Sequence, residues 1–203
     1  TPEVDFDRIY HGWIETRIMS MGRSNSERIM DGFRLPRSNT YAAAASMHFA
    51  SLSDCYWIRQ EAENISWADV SLYRADISED VAETSLFGKR QIFHGHIHTP
   101  EPSTAGLSAK AWYRDADQKL WLYKIGKKEV AASKILDAIG ADHVPYLDAS
   151  NELRQKAEEE KIRKIYETNE KLVKCPIITS EQRSIVTWYD FEEHCNDEHV
   201  NPY

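Results

Sequence analysis

Two lysines, a glutamate and a run of small residues in the middle of the chain have the types and spacing to hold an anion. Ser103-Thr104-Ala105-Gly106-Leu107-Ser108 is a turn of small residues followed closely by Lys110. Small side chains and a glycine let backbone N–H groups approach an anion, the physics shared by phosphate-cradling loops. The run is neither G-x-x-x-x-G-K-[ST] nor G-x-G-x-x-G, and a plain hairpin turn uses similar residues. Downstream, Lys124 ends an alternating stretch, and Glu129 follows in what reads as the first turn of a helix. An ammonium at a strand end can meet phosphate oxygens, and a carboxylate at a helix start can hold that ammonium. Both also have ordinary explanations: lysines often close strands, and the helix dipole favours a glutamate in the first turn.

The elements that must position these residues are legible around them. AKAWYR and KLWLYK alternate and are joined by Asp115-Ala116-Asp117-Gln118, which predicts a β-hairpin. From Lys128 to Ile139 the apolar positions Val130, Ala131, Ile135, Leu136 and Ile139 recur at helical spacing, and Gly140 supplies a C-cap. The order is therefore loop, strand, turn, strand ending in lysine, then a helix opening with a glutamate. A kinase N-lobe presents a phosphate loop, an ammonium and its carboxylate partner in that order.

The residues resemble the N-lobe of the HipA-like serine/threonine kinases, in particular those of Gram-positive bacteria and their mobile elements. Three stretches carry the resemblance: Ser51 to Arg59 (SLSDCYWIR), Pro102 to Trp112 (PSTAGLSAKAW) and Leu122 to Tyr146 (LYKIGKKEVAASKILDAIGADHVPY). It covers roughly residues 30 to 203, the first 30 matching only loosely. The second stretch is similar to the family's Ser-x-Ala-Gly-x-x-x-Lys loop, with Ser103, Ala105, Gly106 and Lys110 at those positions. The resemblance implies that Ser103 is an autophosphorylation site and that residues 103–108 and Lys110 contact nucleotide. It implies that Lys124 meets ATP phosphates with Glu129 as its helical partner, and that Trp188 and Tyr189 lie near the adenine-contacting hinge. Core packing accounts for the bulk of those two aromatics equally well. The implied fold is α+β: a small N-terminal α/β subdomain over residues 1–90, then a kinase-like N-lobe over 91–203, an antiparallel sheet with one packed helix. The implied cofactors are ATP and Mg²⁺, and the implied partner is a protein substrate, an antitoxin or a host protein, in a toxin–antitoxin or mobile-element setting. An Asp-Arg-His-x-x-Asn type loop and a later metal-binding Asp, which the family carries in its C-lobe, are not in these 203 residues. Phosphotransfer is expected only when that second lobe is present.

Other parts of the chain are less specific. Gln91 to His98 (QIFHGHIH) alternates, which predicts a strand with His94, His96 and His98 on one face. Two such imidazoles can chelate zinc or nickel, but a third on the same strand lies too far for tetrahedral ligation. A solvated strand face is the expectation, with no metal site. Phe6, Ile9, Trp13, Ile14 and Ile18 fit a strand pair or a short helix about equally. Tyr41 to Ala50 (YAAAASMHFA) predicts a helix capped by Ser38 or Asn39, and Ser66 predicts a helix start at SWADV. Asn151 to Glu170 reads as a solvated charged helix or hairpin arm. KLVKCPIIT and RSIVTWY read as two strands joined by Thr179-Ser180-Glu181-Gln182, with Asp190 capping a last helix.

Composition bounds the function classes. With 41% hydrophobic and 11% aromatic residues the chain has the means to bury a core, which excludes general disorder. Twenty-five Lys and Arg against 33 Asp and Glu leave a net charge of -8, which disfavours direct nucleic-acid binding through phosphate neutralisation. The same charge suits a rival reading, an acidic inhibitor module that occupies a basic groove on a host protein. Cys55, Cys175 and Cys195 contain no C-x-x-C and are expected to be reduced, packed thiols. No apolar run spans a bilayer and no secretory leader is evident, so a cytoplasmic protein without a membrane partner is expected.

Overall fold

The computed structural model describes residues 5–95, 97–126, 128–152, 171–186 and 191. They form a mixed α/β structure around one antiparallel sheet. β1 (Lys110–Arg114) and β2 (Leu120–Gly126) make the expected hairpin, with Lys110 opposite Lys124 and Arg114 opposite Leu120. β3 is short (Leu147–Asp148), and β4 (Lys171–Pro176) runs between β2 and β3, so the sheet order is β1-β2-β4-β3.

Six α-helices accompany the sheet among the described residues. α1 (Phe6–Glu15) settles the first apolar set as a helix, with the Asp5 carboxylate accepting from the Arg8 N–H at 3.1 Å. α2 (Ser26–Gly32) buries Ile29 and Met30. α3 (Thr40–Ser46) is capped by Asn39, whose side chain accepts from the Ala42 N–H. It ends earlier than Ala50 because His48 and Phe49 take positive φ angles of 52° and 56°, which no helix continues. α4 (Trp67–Val70) starts at Ser66, whose N–H donates to the Asp69 carboxylate at 2.7 Å in a capping box. α5 (Glu79–Phe87) closes on Gly88 at φ 66°, and α6 (Glu129–Ala138) precedes Gly140 at φ 69°.

Each face of the sheet has its own cover. Ala111, Tyr113, Tyr123 and Leu172 point to one face, where Ala82, Leu86 and Phe87 of α5 pack on them. Tyr113 and Tyr123 meet edge to face there, 5.4 Å apart. The helix layered on the sheet is thus α5, so packing is continuous across residue 90. α6 buries only Ser133 and leaves Ile135 and Ile139 63% and 71% exposed. On the opposite face, Leu120 and Trp112 pack with Ala50, Leu52 and Leu72 at one end. The other end of that face carries Lys110 and Lys124. A turn at Ser180–Arg183 is clamped against α4, because Glu181 accepts from Trp67 Nε1 at 2.7 Å and from Arg74 Nε and Nη2 at 2.8 Å.

Two expected strands are not seen among the described residues. Residues 91–95 and 97–98 pair with no strand; Gly95 turns the chain at φ 78°, and Phe93 leaves the alternation to pack against Phe33 and Gly32. The intended common face of His94 and His98 is therefore lost, and His96 lies outside the described residues. Residues 184–186 are also irregular, with the Ile185 N–H donating to the Ser53 carbonyl in place of a ladder bond. Cys55 and Cys175 are free thiols. The expected readings for 153–170, Trp188, Tyr189, the Asp190 cap and Cys195 lie outside the described residues. Among the described residues no helix is long and apolar enough to cross a membrane.

Candidate phosphate-binding site

Register places the two lysines. In an antiparallel pair directly opposed residues share a face, so Lys110 and Lys124 stand side by side. Opposed like charges are locally unfavourable, and each lysine is relieved in a different way.

Lys124 is relieved by a carboxylate. Its Nζ lies 2.9 Å from Glu129 Oε1 and 4.7 Å from the centre of the Tyr146 ring. Burial works against the Lys124 ammonium, but Glu129 and Tyr146 together outweigh it and hold the lysine above its ordinary value. Glu129 is pushed up by burial and pulled further down by Lys124, ending below the usual carboxylate value. The close approach depends on Gly126, where a Cβ would run into the Glu129 carboxylate. The Lys128 N–H also donates to Glu129 Oε2 at 3.1 Å, so the carboxylate serves both the helix start and the lysine.

Lys110 has no carboxylate within ion-pairing distance among the described residues. It is 7% exposed, and its Nζ donates to the Ala105 carbonyl at 2.5 Å. Burial, then the nearby Arg23 and Lys124, lower its pKa from 10.5 to about 8. The loop it holds begins in a 3₁₀ turn, Glu101–Ser103. Ser103 Oγ lies 3.2 Å from both the Ala50 and Pro100 carbonyls, and Thr104 Oγ1 donates to Pro100 O while accepting from Trp112 Nε1. Ala105, Gly106, Leu107 and Ser108 are exposed, with Gly106 at φ 95° and its missing Cβ leaving room for the Lys110 ammonium. The Leu107 carbonyl accepts from the Ser24 N–H at 2.8 Å.

Beneath the loop lies an ion pair that the sequence pattern did not reveal. Arg23 and Glu101 are both fully buried and joined through Nη2 and Oε2. Arg23 also donates to the Glu101, Thr104 and Lys110 carbonyls and to Ser85 Oγ. Glu101 Oε1 accepts from the Trp112 N–H at 3.0 Å. β1 is an edge strand, and this pair satisfies two of its outward backbone groups, the Lys110 carbonyl and the Trp112 N–H. No spacing rule connects residue 23 with residue 101.

Comparison with protein-family models, curated proteins and solved structures finds no match to this chain.

The site's chemistry therefore rests on its own residues. Lys124 pairs with Glu129, and Lys110 stands beside Lys124 on the neighbouring strand and holds the 103–108 loop through Ala105, so the arrangement offers two lysines beside a small-residue loop to an anion. It offers no open ligand for a divalent cation, since Glu101 and Glu129 are each held by a cation. Elsewhere, no group of three or more His, Cys, Asp or Glu among the described residues could hold a metal.

Proposed function

We propose that this chain is the N-terminal subdomain and phosphate-binding half of a HipA-like serine/threonine kinase, binding the phosphates of ATP. The observation that carries this reading is the Lys124–Glu129 ion pair, made between a strand end and a helix start on the sheet face that also presents Lys110. In kinase chemistry such a pair holds the strand lysine where it can meet nucleotide phosphates. Ser103, in the 3₁₀ turn that opens the loop, is the hydroxyl proposed for autophosphorylation. Magnesium has no fitting ligands here and no step is assigned to it. Phosphate transfer to a protein hydroxyl belongs to the lysine-bearing lobe acting together with a second, catalytic lobe.

The test is ATP binding to the 203-residue chain, followed by tryptophan fluorescence or calorimetry. Measurable affinity that exceeds the affinity for inorganic tripolyphosphate, and falls at least about tenfold in Lys124→Ala, supports the reading, as expected for loss of a charge-assisted contact. Equal binding by wild type and Lys124→Ala overturns it.

A second reading, an acidic interaction module for a basic host protein, draws on the net charge of -8 and the exposed Phe6 and Ile9 of α1. A stable complex formed with a basic partner by the Lys124→Ala and wild-type chains alike favours it.

A further inference from the structure

The two lysines of the site differ in what neutralises them, and the difference has a consequence for any anion that binds. Lys124 is already paired with Glu129, so an arriving phosphate finds it charged. Lys110 is buried, faces Lys124 from β2 and Arg23 from the segment before α2, and among the described residues has only the Ala105 carbonyl at its Nζ. The nearest carboxylate, Glu101 of the 3₁₀ turn, is committed to Arg23 and to the Trp112 N–H. Glu129 of α6 is committed to Lys124, over which the Tyr146 ring sits.

We infer that anion binding at the 103–108 loop is coupled to proton uptake by Lys110, whose amine exchanges the Ala105 carbonyl for the bound phosphate. This rests on the phosphate-binding reading and adds its regulation: a bound anion supplies the countercharge that Lys110 lacks among the described residues and so favours its ammonium form. The free loop is held by Lys110 itself, whose Nζ donates to the Ala105 carbonyl and lies where a Cβ on Gly106 would stand only 2.5 Å away. Burial and the two neighbouring cations place the free amine's titration at about 8, near neutrality, so the coupling operates in an accessible range. Above that pH, anion affinity falls by up to about tenfold per pH unit, because a proton must be taken up with each anion. Lys124, held above its ordinary value, stays charged through this range and contributes no slope.

The experiment is an NMR titration of the full chain labelled at lysine Cε, with and without sulfate, an anion that carries no titratable proton in this range. The expected result is one lysine signal with a midpoint near 8, absent from the Lys110→Arg spectrum, that moves up by at least about one pH unit as sulfate saturates. Anion affinity in Lys110→Arg loses its pH dependence, whatever its absolute value, because a guanidinium does not titrate here. If that variant does not fold, the wild-type titration alone decides. The inference is overturned if no lysine titrates clearly below the ordinary value, or if the low-titrating signal ignores sulfate. If sulfate moves the midpoint while ATP gains nothing over tripolyphosphate, the coupling stands and the nucleotide reading falls. If ATP binds through Lys124 and the midpoint stays fixed, the nucleotide reading stands and the coupling falls.

Discussion

The site contains two ion pairs of nearly the same chemistry, Arg23–Glu101 and Lys124–Glu129, placed in opposite surroundings. Both side chains of the first are 0% exposed, and their further polar partners are backbone groups of the loop and the edge strand and the Ser85 hydroxyl of α5. The second is 20% and 27% exposed and shares its space with an aromatic ring. A fully buried pair cannot exchange partners without leaving a charge in a low-dielectric interior, so it acts as architecture. A partly solvated pair can trade a carboxylate for a phosphate at small cost, so it is the one suited to ligand binding. Burial, more than residue type, separates the two roles.

The sharpest way to break this comparison is Arg23→Ala. It strands Glu101 and should cost about 3–5 kcal/mol, read as a lower urea midpoint or outright failure to fold. Replacing both partners with apolar residues should cost less than the single change. If Arg23→Ala is no more damaging than a surface substitution, the architectural role is wrong. Lys124→Ala is the counterpart: at least a tenfold loss of ATP affinity is expected, with a stability change below about 1 kcal/mol in the same urea experiment.

Gly106→Ala sharpens the loop's part. At φ 95° any other residue is strained by about 1–2 kcal/mol, and the new methyl meets the Lys110 ammonium. A modest stability loss with weakened anion binding is expected, whereas unchanged binding would detach the loop from the site. pH supplies a further test. The folded-state pKa of Lys110 lies at about 8, below its ordinary 10.5, so the unfolded chain binds that proton more tightly between these values. Stability contributed by this group therefore rises with pH from about 8 toward 10.5, so the urea midpoint at pH 9.5 relative to that at pH 8 should be higher in wild type than in Lys110→Met. The smallest effect is expected for Gly126→Ala, which pushes the Glu129 carboxylate off its lysine without a backbone penalty. ATP affinity should fall a few-fold while the urea midpoint barely moves.

Local pattern made much of the site legible. The 109–124 hairpin and α6 follow from alternation, helical spacing and Gly140, and they carry Lys110, Lys124 and Glu129 into place. The caps at Asn39 and Ser66 were equally readable, because capping is a contact between near neighbours. α5 carried weaker signals: Val81 to Phe87 are all buried, so no polar face marks the helix. β3 is two residues long, too short for any periodicity to show. The alternation of 91–98 misled because a strand needs a neighbour to pair with, and the chain turns at Gly95 before meeting one.

By itself, the sequence determined the hairpin, the following helix and the lysine and glutamate they present, since these rest on contacts within one supersecondary unit. Only the tertiary structure decided that Arg23 and Glu101 underlie the loop, that α5 covers the sheet, and that Lys110 is buried beside two other cations. Those outcomes depend on which distant segments exclude water from a charge, and burial of that kind is a property of the assembled fold.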